Sequence, residues 1–231
     1  MNRGLRLRSG RITAAREGGD TPGERILLQP HDYVGSMAKC TETFWVLDAG
    51  LMKQRALTYS PGLHHIFDEI LLYAASNKRR DPAMSSLCVE VDVVECRVSV
   101  FYNGRGIPVE LRDENNGIYA PEMFFGRFHD SSSSNNNNDD GYGVKLANLF
   151  STEFVVETAD GCRMKKYRQV FSDNMGKKSV PHITDYQGEN WTMITFKPDL
   201  ARFNMTYLEE DHVMLMWKRV VDMAAILDDT V

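Results

Sequence analysis

SPGLHHIFDEILLYAASNKRRDP, residues 60–82, carries a strong periodic pattern. Leu63, Ile66, Phe67, Ile70, Leu71, Ala74 and Ala75 recur at three- and four-residue steps, the period of a helix with one buried face. Ser60-Pro61-Gly62 opens that helix. Glu69, Tyr73 and Asn77 are spaced by four and therefore share one side of it. A helix with so apolar a stripe needs a second layer, and the following residues supply one. Val89, Val91 and Val93 alternate with Glu90 and Asp92; after a tight turn Cys96, Val98 and Val100 alternate again, which predicts a hairpin. Working outward, Thr43–Leu47 reads as a short strand. Glu153–Thr158, Met164–Phe171 and Trp191–Phe196 read as three more, with a turn at Asp160-Gly161. Val144–Phe150 and Leu208–Leu227 read as helices, and no internal repeat is present. The order predicts an α+β sandwich, a mostly antiparallel sheet with helices on one face.

Length and composition agree. A chain of 231 residues with 42% apolar and 26% charged residues can bury roughly 70% of its unfolded surface without a staple. Lys plus Arg is 27 and Asp plus Glu is 32, a net charge of −5, which argues against a surface built throughout to coat nucleic acid. Cys40, Cys88, Cys96 and Cys162 show no C-x-x-C spacing, so a zinc site is not expected and reduced thiols are. No apolar run reaches the roughly 18 residues of a membrane span. Residues 1–25 read as an arm with Arg3, Arg6, Arg8, Arg11 and Arg16 ahead of the first acid, Glu17. Such a start fits an organelle transit segment or, more plainly, a disordered tail. The tract SSSSNNNNDD (Ser131–Asp140) cannot pack and reads as a loop.

Three places carry candidate chemistry. Glu69 stands one step from the buried stripe, where a carboxylate can take a proton from water; the plainer reading is a solvated helix carboxylate. Asn103-Gly104-Arg105-Gly106-Ile107-Pro108 is a loop whose two glycines let the backbone approach a flat ligand closely. Gly141-Tyr142-Gly143-Val144-Lys145 opens a helix, where free N–H groups, the helix dipole and Lys145 favour phosphate. No Walker loop is present.

Each motif is weak alone, but their order resembles the ATPase region of eukaryotic type IIA DNA topoisomerases, in the Bergerat-fold superfamily of gyrase, heat-shock chaperone, histidine-kinase and mismatch-repair ATPases. The matching words are ILLQPHDYVGS (Ile26–Ser36), SPGLHHIFDEIL (Ser60–Leu71), NKRRDP (Asn77–Pro82), NGRGIP (Asn103–Pro108), YAPEMFFG (Tyr119–Gly126), GYGVKLANLFSTEFVVETAD (Gly141–Asp160) and TFKPDLARF (Thr195–Phe203). The resemblance implies an ATPase domain over 26–231 with a lid at about 127–140. It makes Glu69 the base that activates water. Gly104 and Gly106 would line the adenine pocket, and Tyr73, Asn77, Tyr102, Asn103 and Ile107 would stand at further ATP-binding positions. Gly141, Tyr142, Gly143 and Lys145 would hold phosphates beneath a lid carrying Ser131 and Ser132. ATP and Mg²⁺ are the implied ligands. DNA is implied through the family context, as are a homodimer or pairing with a full-length topoisomerase II, a nuclear location and no membrane.

The departures from the family pattern matter as much. The family's magnesium-binding asparagine, four residues after the base, is Tyr73 here, and a neutral phenol is a poor substitute for an amide oxygen. The family's adenine-reading residue, two places before Gly104, is Tyr102. Asn103 beside it should face the other side of the strand. The family words stop short of the transducer and DNA-cleavage domains, so this chain alone is not expected to cleave or pass DNA. Two expectations stand: an ATP-hydrolysing domain, or a degenerate non-hydrolysing paralogue or fragment acting as a binding or dimerisation module.

Overall fold

The computed structural model describes residues 21–128 and 141–227. Ser131, Ser132 and the arm up to residue 20 lie outside the described residues. The chain enters through helix α1 (Pro22–Leu28) and one turn of helix, α2 (His31–Val34). Residues 22–25, read from sequence as arm, are helical. The reason is a capping box: the Glu24 amide donates to Thr21 Oγ1 and the Thr21 amide donates to the Glu24 carboxylate, satisfying two otherwise orphaned donors.

Strands β1 (Cys40–Asp48) and β2 (Leu51–Tyr59) form a separate hairpin. Its two-residue turn, Ala49-Gly50, has both φ angles positive, at 50° and 78°, as a tight hairpin requires. The sequence reading found β1 and missed β2. Most of β2 is exposed, and it carries Leu51 and Met52 in succession at its start, so no period of two marks it.

Helix α3 (Pro61–Arg80) follows, and its predicted stripe is the observed core: Leu63, Ile66, Phe67, Ile70, Leu71 and Ala74 are fully buried. Each large apolar side chain of that stripe contributes about 1.5–3 kcal/mol of transfer free energy. Beyond it run β3 (Leu87–Asp92), β4 (Arg97–Asn103), a short pair β5 (Leu111–Asp113) and β6 (Ile118–Tyr119), and helix α4 (Ala120–Gly126). Then come α5 (Tyr142–Leu149), β7 (Ser151–Asp160), β8 (Lys165–Ser172), β9 (Lys177–Lys178), β10 (His182–Asp185), β11 (Trp191–Pro198) and α6 (Glu210–Leu227). The main sheet has the order β10-β8-β7-β11-β4-β3, with β9 on β8, and every pairing is antiparallel. Val98 and Val100 of β4, Phe154 and Val156 of β7, and Ile194 and Phe196 of β11 share one core with the α3 stripe. The fold is therefore the α+β sandwich expected. Strand β10 escaped the sequence reading because it is a short edge strand of mixed polarity.

Helix α6 lies on α3 and the β1–β2 hairpin. Arg219 is hydrogen-bonded to Asp68, and the Thr58 amide donates to Asp211. Inside this contact His212 is fully buried, and neither ring nitrogen has a hydrogen-bond partner among the described residues. Its ring lies 6.4 Å from that of His64, and Tyr59 stands edge-on to both. Burial, then His64 and Lys39, push the His212 pKa down to about 3. Burial lowers His64 as well, with Asp68 pulling the other way and Arg219, His65 and Lys218 adding to the fall. Both imidazoles are thus neutral in the fold, whereas the unfolded chain takes up protons as pH drops through about 6.5. Stability from this pair is complete above that value and is lost as pH falls from it toward the folded pKa values. Between pH 7 and 5 His212 alone should cost about 2 kcal/mol. Urea midpoints measured across that range should fall, and His212→Phe should flatten the slope; an unchanged slope in the variant would contradict the assignment.

Candidate nucleotide-binding site

Helix α3 aims Glu69 at the start of α5. A Cβ placed on Gly143 would lie 1.7 Å from Glu69 Oε2, so only glycine lets the carboxylate rest against that first turn. The Glu69 side chain keeps 31% of its surface exposed and lies 3.6 Å from His65 Nε2. Gly141 precedes α5 with no side-chain cap, and the positive end of the helix dipole lies at this turn. Tyr142 packs edge-on against Phe128, and Lys145 is buried beneath Gly141. Glu69 and the Gly141–Lys145 turn, distant in sequence, thus meet.

One turn along α3, Tyr73 is almost wholly buried. Its ring stands edge-on to Phe125 at 5.7 Å and to Tyr102 at 6.4 Å, and the Arg80 guanidinium lies 5.6 Å from the ring centre. Burial and then Tyr102 hold the Tyr73 phenol well above its ordinary pKa, with Arg80 pulling back. Tyr102 is 1% exposed on β4, opposite Thr192 on β11, and burial raises its pKa while Thr192, Arg80 and Tyr73 oppose the shift.

The glycine loop closes over this pair. Gly104 has φ +96°, and a Cβ there would lie 2.8 Å from Asp81 Oδ2 and 3.0 Å from Asn77 Nδ2. Gly106 has φ +58° and sits over the hydroxyls of Thr192 and Thr158, which are 2.9 Å apart. Asn77 donates to the Asn103 carbonyl at 3.2 Å, anchoring the loop to α3. Asp160 anchors its far end by accepting from the Val109 amide and from Arg163. Gly104→Ala should therefore destabilise the fold by at least about 1 kcal/mol, read as a lower urea midpoint; an unaltered midpoint would mean that the loop yields.

Beside Tyr73 and the glycine loop lies a cavity of about 300 Å³ lined by Tyr73, Asn77, Arg80, Arg105, Gly106, Ile107, Pro108 and Phe124; Glu69 and Gly141–Lys145 are not on its walls. A more open polar cleft adjoins it and shares Arg80 and Arg105, with Asp81 and Glu189 on its walls. An apolar groove of about 410 Å³ between the β1–β2 hairpin and α6, lined by Trp45 and Trp217 among others, contains none of these residues.

Two expected nucleotide contacts are placed elsewhere. Tyr102 lies in the core against Tyr73 and is not on the wall of the cavity beside the glycine loop. Asn103 points to the opposite face of β4, where its side chain accepts from the Ser85 and Ser86 amides and donates to the Ser85 hydroxyl. Thr158, Thr192, Arg80, Arg105 and Phe124 were not singled out from sequence. Only the pairing of β4, β7 and β11 brings the two threonines under Gly106. Magnesium does not fit the residues present. The position that would offer an amide oxygen carries a buried phenol packed on two rings. No group of three or more His, Cys, Asp or Glu is set to hold a metal among the described residues.

No family model matches the chain. It is 54% identical to DNA topoisomerase 2 of Arabidopsis thaliana over 215 residues, covering 90% of this chain and 14% of that protein. The Drosophila melanogaster enzyme is 45% identical, with 87% and 14% covered. The chain thus spans about one-seventh of the length of these relatives. The ATPase region of Saccharomyces cerevisiae topoisomerase II superposes with a TM-score of 0.82 at 40% identity, over 89% of this chain and 57% of that one. A Balamuthia mandrillaris structure containing the ATPase and transducer domains gives the same score and identity, over 90% and 56%. The gyrase B ATPase domain of Thermus thermophilus, at 23% identity and a TM-score of 0.64, shares the fold. Along about nine-tenths of its length, the chain belongs with the ATPase region of the eukaryotic DNA topoisomerase II family.

Proposed function

We propose that this domain binds ATP between α3 and the Gly104–Pro108 loop, with its phosphates toward the start of α5, turns it over slowly or not at all, and serves as a binding and dimerisation module in the control of DNA topology. The observation that carries this reading is the contrast between two neighbouring positions on α3. Glu69 keeps its place against Gly143, while the tyrosines at 73 and 102 pack against each other where the family has a metal ligand and a base reader. In this reading the first turn of α5 and Lys145 attract the phosphates, Glu69 accepts a proton from water, and Gly104 to Ile107 cover the base. The loss of two contacts to one ligand should couple, so that their joint cost exceeds a simple sum. DNA, a second copy of the chain or a full-length topoisomerase II, and a nuclear location belong to the same proposal, by kinship with eukaryotic enzymes.

Hydrolysis is the second reading, favoured by the preserved meeting of Glu69 with α5. Calorimetric titration with a non-hydrolysable ATP analogue, combined with phosphate-release assays, separates the two. Binding with release at background is expected. Turnover on the order of 1 s⁻¹, typical of working enzymes, would favour hydrolysis, and no binding at about 1 mM would remove both.

A further inference from the structure

We infer that the pocket takes its nucleotide free of divalent metal, with the guanidinium groups of Arg80 and Arg105 supplying the positive charge; this rests on the nucleotide reading above. The cavity against Tyr73 is lined by two arginines and no carboxylate. Asp81 and Glu189 face the adjoining cleft instead, and Glu69 lies at the α5 end. Arg80 is fixed by its place on the Tyr73 ring and by donation to Ser76 Oγ at 3.2 Å, so little side-chain freedom remains to be lost on binding. A guanidinium presents a planar fork of donors suited to phosphate oxygens, and it needs no deprotonated ligand and no octahedral shell.

Charge decides the preferred form of the ligand. Chelation by a dication cancels part of a nucleotide's negative charge, which is an advantage where carboxylates and amides ring the metal. Here the metal position is an apolar ring edge and the wall is cationic, so the uncomplexed nucleotide has more to gain. Metal bound to the phosphates would also bring a hydration shell into space filled by Tyr73 and Phe125.

The test uses the whole chain and adenylyl-imidodiphosphate, titrated in excess EDTA and in millimolar magnesium. Affinity in EDTA should equal or exceed that in magnesium. Arg80→Gln should weaken EDTA binding about tenfold or more at an unchanged thermal midpoint. Should Arg80→Gln misfold, Arg105→Gln is expected to weaken binding in the same direction. Tightening by magnesium of about threefold or more would overturn the inference while leaving the nucleotide reading intact. So would full affinity in both arginine variants. No binding in either buffer would overturn the nucleotide reading and this inference together.

Discussion

Replacing Tyr73 and Tyr102 together by asparagine should strengthen magnesium-dependent binding of a non-hydrolysable ATP analogue at least tenfold, about 1.4 kcal/mol. The two rings stand edge-on at 6.4 Å, each almost wholly buried, with Tyr73 on the cavity wall and Tyr102 behind it in the core. An asparagine at 73 would offer a compact carbonyl oxygen one turn from Glu69; at 102 it would offer an amide to the base. Tyr73→Asn alone should help less, because Tyr102 would still fill the far end. Tyr102 also packs in the main core, so its loss leaves a cavity and lowers the thermal midpoint. Affinity is therefore measured well below that midpoint, with circular dichroism confirming the fold. A double variant that folds and binds no better would show that the obstruction lies elsewhere.

Turnover gained in that double variant should be lost again on adding Glu69→Gln. Removing a general base costs about 10²–10⁴-fold in rate. The amide keeps the size and polarity of the side chain, so nucleotide affinity should change little. Glu69 is the carboxylate that rests against the first turn of α5, the place proposed above for the phosphates. Unchanged phosphate release in the triple variant would assign the activity to another group.

Much of this arrangement was legible in the residues. The α3 stripe, the β3–β4 hairpin and the alternation in β7, β8 and β11 depend on local periodicity, and local periodicity survives folding when one face is buried. Strand β2 did not announce itself because its first half is exposed on both faces. Helix α1 was hidden because its cap, Thr21 with Glu24, sits among glycines that read as a tail. At the site, the opposite facing of Asn103 followed from strand geometry and is what β4 shows. The partnership of Tyr73 with Tyr102 was not legible. The family resemblance implied a ligand position for each residue, but only the packing of α3 on β4, with Phe125 of α4 edge-on to Tyr73, brings the two rings together. Arg80 was equally silent: it stands seven residues after Tyr73, and nothing in NKRRDP says that its guanidinium folds back onto that ring.

The most direct test of the account follows backbone amide resonances of the isotope-labelled chain during titration with adenylyl-imidodiphosphate. Shifts should concentrate at Gly104–Ile107 and Gly141–Lys145, with Asn77 and Arg80 moving at the same ligand concentrations. Shifts confined to the groove between Trp45 and Trp217, or none at millimolar ligand, would contradict it.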